Sequence, residues 1–291
     1  MNGTSFQSDI RYWLRQGNTI NHLLFWNIII FLGLNLLRLV DRFSQSGMFD
    51  WVYSQVALHS NLSIFITKPW GLITYMFSHV QIFHILFNML NLFWFGNIFR
   101  EMLGNQRVLP VYLMGGLVGG LVYMAAYYLF VHNIDGLMIG ASASVMCLLV
   151  AAATQVPNYE IGLMFIGSVR LKWLALALVI IGLITMFDGN FGGVMSHLGG
   201  AAFGFAYIKL LQNGTDLARP LIWLFTPSER KASKPTVKKF KPKKSPLKIV
   251  KKTDENTQSK LDQLLDKINE KGYSSLSAEE KAWLEKVSKE N

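Results

Sequence analysis

The sequence has a single cysteine in 291 residues, and one thiol cannot form an intramolecular disulfide. Cys147 sits in an apolar run and reads as a small packing residue. Charge is also scarce. Asp, Glu, Lys and Arg make up 16% of the chain, and no Asp or Glu falls inside any of its six long apolar segments. Asp135 and Asp188 lie in or beside the intervening loops. That absence excludes a pair of intramembrane aspartates. It also argues against a full Ser-His-Asp triad. No His-Glu-x-x-His is present, which removes the zinc-dependent intramembrane protease pattern, and no metal or cofactor is expected. No small-residue cleavage site follows the first apolar segment, so that segment is expected to stay as a membrane helix.

What is present is unevenly distributed. Residues 1–225 are rich in Leu, Ile, Phe, Met and Gly, whereas 226–291 are rich in Lys, Ser and Glu. A helix needs about 20 mostly apolar residues to cross the hydrocarbon core. Six segments approach this, at about 20–38, 82–99, 109–131, 138–155, 171–187 and 194–212. The expected fold is an all-α membrane protein with six transmembrane helices. Residues 1–19 are expected to form an interfacial helix, with Phe6, Ile10, Trp13 and Leu14 on one face. The long loop 39–81 carries Trp51, Tyr53 and Trp70, side chains suited to a membrane interface.

Basic residues orient the helices. Arg11 and Arg15, Arg100 and Arg107, Arg170 and Lys172, and the tail share one side. The loops after the third and fifth segments have no Lys or Arg, and the long loop after the first, with Arg42 and Lys68 plus Arg38 at the helix end, is the one blemish. Both termini are therefore expected in the cytoplasm. The formal net charge is +10, and eleven of the 28 Lys and Arg residues lie between Arg230 and Lys252. Directly after a membrane segment, that run reads as a tail near anionic lipid, or one held by a cytoplasmic partner, rather than a nucleic-acid site. Residues 213–257 are expected to be a basic, largely disordered linker. Residues 258–291 are expected to form a small helical hairpin: Leu261, Leu264, Leu265 and Ile268 recur at helical spacing, and Ser277 with Glu280 makes a capping box.

Three polar clusters interrupt the apolar segments: His79 with His84 and Asn88, Gly140-Ala141-Ser142-Ala143, and Ser196-His197-Leu198-Gly199-Gly200. The second, fourth and sixth segments enter from the same side, so His84, Asn88, Ser142 and His197 are expected at similar depth. Serine in a membrane helix is ordinarily a packing residue, and a membrane histidine can simply bond a carbonyl. Here small residues including Gly140 flank Ser142, and Gly200 with Gly204 forms a G-x-x-x-G face. Pairing those faces brings His197 to Ser142, and histidine is the usual base for a serine hydroxyl. His84 and Asn88, at i and i+4, share a helix face. Both can donate to developing negative charge, as can the Ser142 amide at a helix N-terminus. The alternative for that pair is interhelical structural bonding.

HILFN at 84–88, GAS at 140–142 and HLGGAAFG at 197–204, in this order, resemble the motifs of the rhomboid family of intramembrane serine proteases. The resemblance covers about residues 10–212. Glu101-Met102-Leu103-Gly104 also resembles a family turn. It implies Ser142 as nucleophile, His197 as general base, and an oxyanion hole of His84, Asn88 and the Ser142 amide. It also implies single-span membrane proteins as substrates. The chain departs from the family pattern at Ala143, where many members have Gly, at Met146, where some have Tyr, and at Trp70-Gly71, which lacks a family Arg. The expected function is an intramembrane serine endopeptidase in a bacterial inner membrane. The rivals are an inactive relative that escorts membrane proteins, and a small transporter.

Overall fold

The apolar segments fold as helices in the computed structural model, which describes residues 6–132, 134–163, 167–184, 189–225 and 255–290. The chain divides into two units, residues 1–233 and 234–291.

In the first unit, α1 (Phe6–Arg15) leads into α2 (Thr19–Ser44). Asn18 caps α2 by accepting the Ile20 amide at 2.9 Å, and Asn21 Nδ2 donates to the Trp13 carbonyl at 3.1 Å, which ties the two helices. The long following loop is itself structured. It contains α3 (Met48–Val56), β1 (Leu58–His59), α4 (Leu62–Thr67) and α5 (Gly71–Thr74). Then come α6 (Ile82–Leu103) and α7 (Asn105–Ala126), the latter prolonged by a π-helical turn at Tyr127–Val131. Gly104 makes the corner between α6 and α7 at φ +88°, a conformation that side-chain-bearing residues rarely adopt.

β2 (Leu137–Met138) pairs antiparallel with β1. It runs into α8 (Ser142–Gln155), a β3–β4 hairpin (Glu160–Leu163 and Gly167–Arg170), α9 (Leu171–Ile184) and α10 (Phe191–Gln212). Four of these helical stretches, Thr19–Ser44, Ile82–Leu103, Asn105–Val131 and Phe191–Gln212, are long and apolar enough to cross a membrane. Their outward faces fit that reading: Trp26, Leu32 and Leu36 of α2, and Phe87 and Trp94 of α6, are all exposed.

The fourth expected segment is shorter as a helix, and the fifth is described only to Ile184, its residues 185–187 lying outside the described residues. α8 and α9 have 14 residues each, roughly 21 Å of helix against a hydrocarbon core of about 30 Å. The expected fourth span began at 138, but the helix begins only at Ser142. Residues 137–141 are kept out of the helix, because Leu137 and Met138 pair with β1, Gly140 holds φ +125°, and its amide donates to the Tyr75 carbonyl at 2.8 Å.

α8 lies at the centre, packed by α6, α7 and α10. Gly200 and Gly204 of α10 face the backbone of Ala143 and Cys147 so closely that a Cβ on either would collide with a carbonyl oxygen. On α7, a Cβ on Gly115 would meet the Cys147 side chain, and one on Gly119 the Ala143 side chain and the Ser196 carbonyl oxygen. Close approach through small residues is the ordinary means of helix association where no water remains to be released.

The linker expected over 213–257 needs correction at its start. Residues 213–218 lead into α11 (Arg219–Phe225), and Ala218 is fully buried. The cause is Asp216. Its Oδ2 accepts Arg107 Nε at 3.0 Å and Nη2 at 2.9 Å, while Oδ1 accepts the Tyr207 hydroxyl and the Ala218 amide. Asp216→Ala is expected to cost about 2–3 kcal/mol, discounted for the partly exposed Arg107. A lower unfolding midpoint in detergent, with new proteolysis near Arg219, checks this. The rest of the expected linker to residue 254, with its basic run, lies outside the described residues, as does Asp188.

In the second unit, α12 (Glu255–Lys271) and α13 (Ala278–Glu290) are joined at Gly272, with φ +77°. Ser277 and Glu280 exchange reciprocal bonds, Ser277 N to Glu280 Oε2 at 2.7 Å and Glu280 N to Ser277 Oγ at 3.2 Å. Lys267 bonds both Glu280 oxygens, and these partners hold that carboxyl below its usual range. Leu264 and Leu276 are buried, whereas Leu265 points outward, half exposed.

Candidate functional site

The site is assembled from the N-terminal ends of three helices. α8 starts at the serine, with Ala141 at its cap position. The Ser142 amide is therefore one of the helix's orphan donors. On α10, His197 lies one turn before the Gly200 contact. That contact sets the spacing: His197 Nε2 lies 2.7 Å from Ser142 Oγ. With Nε2 bonded to the hydroxyl, the other nitrogen, Nδ1, is buried with no hydrogen-bond partner among the described residues. Met146 and Gly182 border the imidazole. The pair can deprotonate a hydroxyl, with no carboxylate behind the base among the described residues.

On α6, His84 and Asn88 face the same space. His84, Asn88, Ser142 and His197 all line one cavity of about 970 Å³, with Tyr123 and Met146 also on its wall. Asn88 is buried, and one of its amide hydrogens is donated to the His84 carbonyl at 2.8 Å. The second remains for another acceptor. Asn91 and Asn97 turn back on their own helix in the same way, onto Phe87 and Phe93. Self-bonding of this kind explains how a helix with so many asparagines stays stable in an apolar setting.

Gly140 differs from its expected role. It makes no helix–helix contact, since it precedes α8. It holds φ +125°, and a Cβ there would strike the His84 ring. Gly140 thus lets the backbone before the serine lie directly against the imidazole.

Two determinants escaped the sequence reading. The first is His79, noticed only as part of a polar cluster. It is fully buried, and its Nε2 accepts the Ala141 amide at 3.2 Å. With the Tyr75 carbonyl on Gly140, it pins the turn that presents Ser142. Its ring meets His84 edge-on, with centroids 5.0 Å apart. Burial, with a smaller push from His84, lowers its pKa to about 3, so it stays neutral and can accept. The second is the GGLVGG run at 115–120, whose paired glycines were a visible signal for close helix packing.

His79→Leu is expected to leave the Ala141 amide unpaired, at about 1–3 kcal/mol. The sign of the pH dependence follows from the lowered pKa. The unfolded chain binds a proton at about pH 6.5 that the folded chain refuses until about 3, so this residue's contribution is lost as pH falls through that window. The wild-type advantage over His79→Leu therefore shrinks on acidification, read from unfolding midpoints at several pH values.

The comparisons with known proteins concern the same region. A family model described as "Rhomboid domain" matches residues 67–213, which is 147 of the 291 residues. A second, described as a family of unknown function (DUF6576), matches 251–290. The chain is 32% identical over 138 residues to "Presenilin-associated rhomboid-like protein A, mitochondrial" of Danio rerio, covering 45% of this chain and 35% of that protein. It is 30% identical over 144 residues to "RHOMBOID-like protein 12, mitochondrial" of Arabidopsis thaliana, 45% of this chain and 43% of the relative. With "Putative rhomboid protease YdcA" of Bacillus subtilis (strain 168) it shares 27% identity over 167 residues, 53% of this chain and 79% of that one. The match thus spans little more than a third of the Danio rerio relative's length.

Proposed function

Because this chain belongs to the rhomboid family, we propose that it is an intramembrane serine endopeptidase acting through Ser142 and His197. The observation that carries this reading is the 2.7 Å contact between His197 Nε2 and Ser142 Oγ at the floor of a large cavity. In this reading α8 and α9 complete a six-helix membrane domain over residues 20–212, with the helical hairpin as a separate unit. Both termini face the cytoplasm, a placement supported by the basic residues in the loops. The reading places it in a bacterial cell membrane; the Bacillus subtilis protein is matched over most of its length, whereas less than half of each mitochondrial relative is.

The substrate is a single-span membrane protein whose helix unwinds locally into the cavity. His197 takes the proton as Ser142 Oγ attacks the peptide carbonyl carbon. The carbonyl oxygen becomes an oxyanion, met by the His84 imidazole, the free Asn88 N–H and the Ser142 amide. Collapse expels the amine, which takes its proton from His197, and leaves an acyl-enzyme. Water, deprotonated by the same histidine, then releases the acid and restores the hydroxyl. Neither a metal nor a cofactor enters these steps.

The experiment is labelling by a fluorophosphonate in detergent. Wild type should label, and Ser142→Ala and His197→Ala should not. A folded wild type that stays unlabelled would overturn the reading and favour a binding role.

A further inference from the structure

We propose that His59 and Asp135 form a proton-dependent clamp that positions the strand leading into Ser142. The inference rests on Ser142 being the reacting residue, but its geometry lies outside the cavity. β1 and β2 pair with Leu58 opposite Met138 and His59 opposite Leu137. After Met138 only Ile139, Gly140 and Ala141 separate β2 from Ser142. Whatever fixes β2 against β1 therefore fixes the backbone from which the serine is presented.

Two strands of two residues each supply little pairing of their own, and a set of side chains supplies the rest. His59 Nδ1 lies 2.6 Å from Asp135 Oδ2, and Asp135 Oδ1 accepts the Asn61 amide at 3.0 Å. Ser60 adds a backbone bond to the Gly136 carbonyl at 3.0 Å and accepts the Gly136 amide on Oγ at 2.7 Å. Asp135, just outside β2, is thus held on one oxygen by His59 of β1 and on the other by the Asn61 amide.

The protonation state of His59 can be read from its partners. Nδ1 faces a carboxylate, and Nε2 faces the Ser54 carbonyl at 2.9 Å. Both partners are acceptors, and only the imidazolium donates from both nitrogens. The 2.6 Å separation to Asp135 is the short distance of a charge-assisted bond. Removing the Nε2 proton turns a lone pair toward the Ser54 carbonyl. The nearest substitute donor is Ser54 Oγ, 3.4 Å from Nε2, which itself accepts from Lys68 Nζ at 2.6 Å. Deprotonation thus exchanges a close charged contact for a longer neutral one.

The other titratable groups around the pair are Lys68, reaching in through Ser54, and Tyr123 of α7, which interacts with Asp135 and with Tyr53 of α3. None of them supplies a second acid to Nδ1. His59 is almost fully buried, while Asp135 is 24% exposed, so the pair reaches solvent through the carboxylate. The clamp is closed with His59 donating from both nitrogens and loosens when the Nε2 proton is lost. His59 and Asp135 are positioning residues that touch no substrate.

The test uses the full-length protein in detergent. The fluorophosphonate labelling rate is measured between about pH 5 and 9 for wild type, His59→Gln, Asp135→Asn and the double variant. The ratio of wild-type to variant rates cancels the titration of the catalytic pair itself. It is expected to be roughly ten- to a hundredfold at low pH and to fall toward one as pH rises, with either single variant as slow as the double. A ratio independent of pH, or two single effects that multiply, overturns the clamp while leaving the protease reading intact.

Hydrogen exchange of residues 134–142 in the wild type needs neither a folded variant nor an active serine. After correction for the intrinsic base-catalysed rate, protection should be lost from low to high pH, and constant protection overturns the proposal. Wild type that fails to label points instead to failure of the protease reading, and the exchange result then decides the clamp alone.

Discussion

Ser142→Ala is expected to reduce cleavage of a single-span model substrate by roughly 10⁴- to 10⁶-fold, and His197→Ala by a similar amount. The argument is cooperative. A serine hydroxyl is a weak nucleophile until its proton has somewhere to go, and among the described residues the base at hydrogen-bond distance from Ser142 Oγ is His197 Nε2. An imidazole without a hydroxyl has nothing to activate, and a hydroxyl without the imidazole stays protonated. The double variant should therefore be no slower than either single one, and residual turnover should come from the oxyanion donors alone. Cleavage of a substrate of defined length, followed by mass of the products, checks both the rate and the site. A Ser142→Ala protein that folds and still cuts would remove Ser142 from the mechanism. Independent, multiplying losses would mean the two residues act in separate steps.

Gly200→Ala is expected to cost about a hundredfold in the same assay, although residue 200 touches no substrate. The added methyl has no free space to occupy. Its nearest atom is the carbonyl oxygen of Ala143, the residue after Ser142, and backbone cannot swing aside as a flexible side chain can. α10 must retreat from α8 by about 1 Å, the scale of misplacement that separates a productive base from an idle one. His197, one turn from Gly200, retreats with it, and the 2.7 Å contact opens. Stability should fall as well, by on the order of 3 kcal/mol, as strained overpacking does. A matched control lies in α2, where a Cβ on Gly33 meets nothing within 4 Å. Gly33→Ala should be neutral or slightly stabilising through helix propensity. Comparing the two variants separates a packing requirement from a general intolerance of methyl groups on glycine. Equal activity in both would mean that α8 and α10 do not need their close approach.

What the sequence determined by itself followed from local chemistry. Apolar length marked where helices form, the Ser277–Glu280 spacing marked a cap, and the absence of intramembrane carboxylates limited the chemistry. His84, Asn88, Ser142 and His197 were legible because polar groups in an apolar setting are costly and therefore conspicuous. The tertiary structure decided what depends on groups distant in the chain. His79 resembled any other polar residue until the fold brought its nitrogen to the Ala141 amide, 62 residues away. Asp216 lay in what read as linker until Arg107 and Tyr207 were found around it. Gly140 read as a packing glycine, but it holds φ +125° ahead of the helix, and a hydrogen bond to Tyr75 stops α8 from starting four residues earlier. His59 and Asp135, 76 residues apart, showed no pattern at all. Periodicity and composition record what a residue is and who its near neighbours are along the chain. A hydrogen bond or a backbone collision depends on ångström-scale distances between segments, and only the closed bundle sets those.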